Sequence, residues 1–72
     1  MIYFDGIHMM ADSDDLEELH LRAEEIGLER AFFQRHPTHP HYDLFGRYRN
    51  RIEVNCTSRE MLRRCRRTKP TG

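Results

Sequence analysis

The residues best suited to chemistry in this sequence are its histidines, of which there are five among 72 residues. An unperturbed imidazole has a pKa of about 6.5, so histidine serves both acid–base catalysis near neutral pH and metal binding. So many imidazoles in so short a chain indicate a functional site. They are His8, His20, His36, His39 and His41.

Two of these histidines are predicted to share the acid and base roles. His8 and Asp12 follow the predicted first strand, where ligands of open α/β sheets collect, and this favours a site; the alternative is an ordinary polar loop in which Asp12 caps the next helix. His41 is the best candidate of the proline-bounded loop, because Asp43 falls on the same side of an extended chain. Asp12 or Asp43 would orient one imidazole. His36 is predicted to be a surface residue.

His20 has two interpretations, and the sequence leaves both open. It follows Leu16 by four residues and Leu19 by one, so it lies on or beside the apolar stripe of a predicted helix. It is either hydrogen-bonded at the margin of the core or directed into a cleft beside the first strand.

The arginines offer a contact for phosphate. A guanidinium pairs bidentately with phosphate, and Arg30 is the predicted ligand. The arginine-rich run over residues 63–67 is typical of a solvated helix end, where positive charge is favourable. Nucleic-acid binding through this run is the alternative.

Charge is divided between the two parts of the chain, although 12 basic and 12 acidic residues give a formal net charge of zero. Residues 1–28 contain eight acidic residues and one basic residue, whereas residues 29–72 contain four acidic and eleven basic residues. We expect these parts to pair within the chain or with a second copy, which disfavours a uniformly basic nucleic-acid binder. A chain this short buries only about 60% of its unfolded surface, so a homo-oligomer is expected.

The hydrophobic patterns predict a small α/β domain in β-α-α-β-α order. Its two short strands, residues 2–4 and 52–56, would be parallel with a right-handed crossover, and residues 7–11 would form a loop. The first helix would begin near Ser13 or Asp14, with Asp14 and Glu17 as a capping box.

Further local signals complete this prediction. Gly27 would end the first helix as a left-handed cap. Short helical segments are predicted over residues 29–34 and 44–51. Thr57 and Glu60 form a second capping-box pair, which predicts a last helix with Met61, Leu62 and Cys65 on its apolar face.

The chain is predicted to be one domain over residues 1–67, with a frayed basic tail at residues 68–72. No window approaches the roughly 18 apolar residues of a membrane span, and Phe4 is followed at once by Asp5, which argues against a signal peptide. A cytoplasmic location is expected, with Cys56 and Cys65 as free thiols.

Several short motifs, taken in order, carry a family resemblance. They are His8-Met9-Met10-Ala11-Asp12, Glu18-Leu19-His20, Ile26-Gly27-Leu28-x-Arg30, Phe33-Gln34, Pro40-His41-Tyr42-Asp43-Leu44 and Ser58-Arg59-Glu60. Together they resemble the small bacterial and phage family called domain of unknown function 4031, over about residues 1–67. Family members usually carry tryptophan where Phe33 stands, and many have a Gly-Ala pair where this chain has Arg51-Ile52.

The resemblance implies no mechanism, but it singles out polar positions scattered along the chain. They are His8, Asp12, His20, Gln34, His41, Tyr42 and Asp43. A domain this small rarely needs so many imidazoles and carboxylates for folding, so we hypothesise that these side chains converge on one site.

The preferred hypothesis is a site that binds or hydrolyses a phosphate-containing small molecule such as a nucleotide. The predicted catalytic residues are His8, His41, Asp12 and Asp43, and the predicted ligand contacts are His20, Arg30, Gln34 and Tyr42. No cofactor is predicted; the alternative is Zn or Mn bound by the histidines and carboxylates. A second alternative is a non-catalytic interaction or regulatory module acting as a homo-oligomer. Neither a membrane nor nucleic acid is favoured as a partner.

Overall fold

A four-stranded antiparallel sheet organises the protein, and a computed structural model describes residues 1–67 of it. The strands follow the order β1-β2-β4-β3 across the sheet, and every neighbouring pair is antiparallel. The elements are β1 Ile2–Phe4, β2 His8–Ala11, α1 Glu17–Glu25, β3 Phe33–Gln34, β4 His41–Asp43 and α2 Ser58–Arg64. Two 3-10 turns lie at Arg30–Phe32 and Gly46–Arg51.

The predicted fold, with two parallel strands and about three helices in β-α-α-β-α order, is wrong. The described residues form four antiparallel strands and two α-helices. The predicted loop over residues 7–11 contains β2, whose His-Met-Met-Ala sequence lacks the β-branched residues that usually mark a strand. Its strand conformation is stabilised by pairing on both sides, with β1 and with β4.

A tight hairpin joins β1 to β2. Gly6 has a φ of +103°, a conformation that residues with a side chain rarely adopt. The Asp5 carboxylate accepts hydrogen bonds from the amides of Ile7 (2.9 Å) and His8 (2.8 Å). Asp5-Gly6 therefore ends β1 and returns the chain directly into β2.

The predicted strand at residues 52–56 is not a strand. Its Asn55 instead lies against the outer edge of β1, where its amide and side chain satisfy main-chain groups that a neighbouring strand would otherwise pair. The Asn55 amide donates to the Phe4 carbonyl (3.0 Å), its Oδ1 accepts from the Phe4 amide (2.9 Å), and its Nδ2 donates to the Ile2 carbonyl (3.0 Å). This contact covers an edge that could otherwise pair with another chain.

The other predicted helical segments are shorter than expected. Residues 29–34 contain a 3-10 turn at Arg30–Phe32 that runs directly into β3, and residues 44–51 contain the 3-10 turn Gly46–Arg51. Pairing of β3 with β4 extends Phe33 and Gln34, which the sequence pattern assigned to a helix.

Helix α1 begins later than predicted. Its first residue is Glu17, and Asp15 rather than Asp14 accepts a hydrogen bond from the Glu17 amide (3.0 Å). After α1, Gly27 has a φ of +93°, as its predicted role as a left-handed cap requires. The Arg51 guanidinium donates to the Ile26 carbonyl at 2.6 Å, so a positive charge lies at the end of the helix where it is favourable.

Helix α2 begins where its cap predicts. The Thr57 side chain accepts a hydrogen bond from the Glu60 amide, so this N-cap is confirmed. Met61 and Cys65 are buried, whereas Leu62 is exposed. Both cysteines are free thiols, as predicted, and burial raises the pKa of Cys65 to about 12.

The two helices cover opposite faces of the sheet. Phe4, Met9 and Tyr42 face the α1 side, in a core that also contains Leu19, Ala23 and other apolar residues. Tyr3 and Met10 face the α2 side, where they pack with Met61 and Cys65. Alternation along each strand therefore assigns every strand side chain to one of two separate environments.

Within residues 1–67, neither α-helix has the length and apolar character needed to cross a membrane. The predicted tail at residues 68–72 lies outside the described residues.

Substitution of Asn55 tests the edge contact. Asn55→Ala removes two side-chain hydrogen bonds to β1, and we expect the free energy of unfolding to fall by about 1–3 kcal/mol. Urea denaturation measures this change, and Asn50→Ala, at an exposed position, is the matched control. Equal stability of the two variants would show that Asn55 does not hold the edge of the sheet.

Candidate metal centre

The pairing of β2 with β4 brings His8 next to Asp43. These two residues are directly opposite each other in the register, and the next pair is Met9 with Tyr42. Because side chains alternate between faces, His8, His41 and Asp43 share the α2 face, while Met9 and Tyr42 lie on the α1 face. Residues 33 positions apart in sequence thus form one cluster.

The cluster places two imidazole nitrogens around one carboxylate oxygen. Asp43 Oδ1 lies 3.3 Å from His41 Nε2 and 3.5 Å from His8 Nε2. The two rings meet edge to face with their centroids 5.3 Å apart. One ligand atom from each of the three residues lies within 4.8 Å of the others. All three side chains are partly exposed, so a solvated ion or small molecule can reach them.

A main-chain carbonyl fixes the tautomer of His41. Its Nδ1 lies 2.7 Å from the His39 carbonyl oxygen, which can only accept a hydrogen bond. The neutral ring therefore carries its proton on Nδ1 and leaves the lone pair of Nε2 directed toward Asp43. Histidine ligands of metals usually donate the other ring nitrogen in this way.

Asp5 lies behind His8 and connects the β1–β2 hairpin to the start of α2. Its side chain is fully buried, and one carboxylate oxygen lies 3.7 Å from His8 Nδ1. That same oxygen accepts a hydrogen bond from the Ser58 hydroxyl at the start of α2. Burial raises the pKa of Asp5, but the hydrogen bonds from Ser58, His8 and Ile7 lower it by more, so it lies below the ordinary value of 3.8. A charged carboxylate favours a proton on His8 Nδ1 and a free lone pair on Nε2.

A family model described as a protein of unknown function, DUF4031, matches residues 5–68. The chain belongs to this family. The match confirms the resemblance predicted from the short motifs and covers nearly the whole chain. No curated protein and no solved structure matches significantly. The function of this DUF4031 domain must therefore be argued from its own geometry.

His20 and Tyr42 belong to a different environment from the cluster. His20 Nδ1 lies 2.7 Å from the Tyr42 hydroxyl, on the α1 face of the sheet, and the His20 and Phe33 rings meet edge to face with their centroids 4.8 Å apart. Burial lowers the pKa of His20 below its ordinary value of 6.5, and the charge of Arg30 lowers it further. The motif positions therefore do not all converge on one site: Tyr42 points away from its strand neighbours His41 and Asp43, and His20 lies on α1, which covers the opposite face of the sheet.

The remaining predicted site residues are distributed around the DUF4031 domain. Asp12 Oδ1 lies 2.9 Å from the amino nitrogen of Met1. Gln34 is opposite His41 in the register of β3 with β4, so it shares the face of the cluster, but it is exposed. Arg30 lies 3.7 Å from Glu17. The Asp12 and Arg30 contacts lie outside the cluster, whereas the sheet register places Gln34 beside His41. The roles predicted for all three residues stay predictions.

Sequence reasoning missed two residues that orient the cluster. Asp5 was given no role in the predicted site, although its position three residues before His8 is a signal for a local contact. His39 Nε2 donates a hydrogen bond to the Leu62 carbonyl oxygen of α2, 2.7 Å away, and the His39 carbonyl accepts one from His41 Nδ1. No sequence pattern indicates that second contact, because it depends on the placement of α2.

The lowered pKa of His20 predicts that acid destabilises the DUF4031 domain. The imidazole of the unfolded chain gains a proton near pH 6.5, while the folded one stays neutral to a lower pH. Its contribution is therefore complete above pH 6.5 and decreases as the pH falls through that value toward the folded pKa. Urea denaturation between about pH 8 and pH 5 measures this slope.

Two variants isolate the contribution of His20. His20→Gln should flatten the slope of unfolding free energy against pH, whatever its effect on overall stability. His36→Asn, at an exposed position, should retain the wild-type slope. An unchanged slope in His20→Gln would contradict the assignment.

Proposed function

We propose that this DUF4031 domain binds a divalent transition metal, with Zn²⁺ or Mn²⁺ as the candidate ions, through His8 Nε2, His41 Nε2 and Asp43 Oδ1. The observation that carries the proposal is that one ligand atom from each of these three residues lies within 4.8 Å of the others. Two imidazoles and one carboxylate suit both ions.

The distances within the cluster suit a common metal ion. A tetrahedral zinc with bonds of about 2.0–2.1 Å requires ligand atoms about 3.3 Å apart. Asp43 Oδ1 is 3.3 Å from His41 Nε2 and 3.5 Å from His8 Nε2. Small side-chain rotations would therefore bring all three donors onto one ion without any change in the backbone.

The groups behind the histidines support metal binding. His41 Nδ1 donates to a main-chain carbonyl, and His8 Nδ1 faces the buried Asp5 carboxylate. Both arrangements favour the tautomer with its proton on Nδ1, which leaves the Nε2 lone pair free for a metal, and a carboxylate behind a ligating histidine raises its basicity. Three protein ligands would leave coordination positions open for water or a substrate oxygen.

The position of Asp43 argues against a metal-free phosphate site at the same place. The predicted acid–base pair of His8 and His41 requires a substrate between the two rings, but the Asp43 carboxylate is already beside both Nε2 atoms. A phosphate brought there would meet another negative charge. A metal cation at the same place would instead be attracted by the Asp43 carboxylate and bound by the two imidazoles.

The alternative of a homo-oligomeric interaction module rests on the divided charge. Two of the possible pairs form within a single chain: Arg67 with Asp14 at 2.8 Å and Arg30 with Glu17 at 3.7 Å. The acidic and basic parts therefore form ion pairs with each other within one chain. The divided charge thus supports internal pairing more than it supports a homo-oligomer.

Calorimetric titration of Zn²⁺ and Mn²⁺ into untagged protein, previously freed of metal by a chelator, tests the proposal. We expect one ion to bind per chain. His8→Gln, His41→Gln and Asp43→Asn should each weaken binding by at least about 100-fold, because each removes one of only three ligands.

The matched control is His36→Asn. His36 is exposed, its ring lies 6.4 Å from that of His41, and asparagine can replace its local hydrogen bonds to Thr38 and His39. This variant should bind metal as the wild type does. Equal affinities across all four variants, or no binding by the wild type, would reject the proposal.

A further inference from the structure

An open cleft lies on the α1 face, on the other side of the sheet from the His8–His41–Asp43 cluster. It has a volume of about 520 Å³, within the range of small-molecule sites. The start of α1, the 3-10 turn Arg30–Phe32, β3 and the following loop enclose it. The side chains that matter here are Leu16, His20, Arg30, Phe33 and Arg35.

A buried hydrogen bond determines how His20 faces this cleft. Tyr42 is 1% exposed, so its hydroxyl proton needs an acceptor. Among residues 1–67, its hydrogen-bond partner is His20 Nδ1, 2.7 Å away. Tyr42 therefore donates and Nδ1 accepts, which leaves the proton of the neutral imidazole on Nε2.

That Nε2–H is available to a ligand. Within the described part of the chain, only Arg67 Nη2 is a fully buried side-chain polar atom without a partner. His20 Nε2 makes no hydrogen bond within residues 1–67 and is not among the fully buried atoms without a partner, so it keeps access to solvent beside the cleft that His20 lines. The buried ring thus presents a fixed donor at the cleft wall.

Two guanidinium groups give the cleft positive charge. Arg30 and Arg35 line it, and the charge of each lowers the pKa of His20, while Glu17 and Glu24 on α1 oppose them. Arg30 is 3.7 Å from Glu17, but both side chains are more than half exposed, so this pair is weak. Donors on Arg30 remain free to meet an anion.

We infer that this cleft binds a phosphate monoester of a small organic molecule. Arg30, Arg35 and His20 Nε2–H would hold the phosphate oxygens, because guanidinium forks match phosphate geometry. Leu16 and Phe33 provide apolar surface for the organic group. The phosphate ligand predicted from the sequence thus has a site with the right charge, separate from the carboxylate of the metal centre.

Titration with phenyl phosphate in the presence of a chelator tests this inference independently of bound metal. Calorimetry at constant ionic strength should detect saturable binding to the wild type, stronger than that of inorganic phosphate because of the apolar wall. Arg30→Gln and Arg35→Gln should each weaken binding at least about tenfold, the effect of losing a charge-assisted hydrogen bond. Arg22→Gln, which makes the same charge change on α1 away from the cleft, should bind normally.

Nitrogen NMR of the imidazole supplies a second readout. His20 should carry its proton on Nε2 in the free protein, and phenyl phosphate should shift that Nε2 signal. Absence of saturable binding, equal affinities in all three arginine variants, or an unshifted Nε2 signal would overturn the inference. None of these results depends on whether the His8–His41–Asp43 cluster binds metal.

Discussion

The antiparallel pairing of β2 with β4 is the contact on which the rest of the structure depends. It places His8 opposite Asp43 on one face and Met9 opposite Tyr42 on the other. The first pair brings together the proposed metal ligands, and the second forms part of the core beneath α1. A register shift of one residue would exchange these faces, burying the imidazole and carboxylate while exposing Met9 and Tyr42. The core and the candidate site therefore specify the same alignment.

The polar residues outside the cluster connect its geometry to the fold. Asp5 closes the β1–β2 hairpin, contacts Ser58 at the start of α2 and lies behind His8. The loop before β4 holds His41 through the His39 carbonyl, and the His39 ring contacts the Leu62 carbonyl of α2. Helix α2 thus contributes no ligand, yet it supports both histidines from behind. Such supporting contacts are what keep ligand side chains in place.

Local signals predicted the parts of the fold that depend on neighbouring residues. The apolar stripe of α1, its end at Gly27 and the Thr57 cap of α2 all require only a few adjacent positions. The sheet could not be predicted from local signals, because β2 and β4 are short and contain histidine, methionine and aspartate. They are strands because they pair with segments distant in sequence. The same limit applies to residues 52–56, where alternation predicted a strand but Asn55 uses its side chain to hold the edge of β1.

The candidate site was predictable in part for the same reason. His41 and Asp43 are two residues apart, so extended chain alone predicts that they share a side, and the structure places them there. His8 joins them only because the sheet register places it opposite Asp43, and the same register places Tyr42 on the opposite face. His20 was assigned either a core or a cleft role, and its ring is buried while also lining a cleft. Asp5 was not predicted as a site residue, because its contact with His8 depends on the tight hairpin between β1 and β2.

The most direct test of the metal centre is a crystal structure of the zinc-soaked protein, with anomalous data collected on both sides of the zinc absorption edge. The proposed metal centre predicts one strong anomalous peak between β2 and β4, about 2.0–2.2 Å from His8 Nε2, His41 Nε2 and Asp43 Oδ1. A peak located elsewhere, or no peak between these three atoms at full zinc loading, would contradict it.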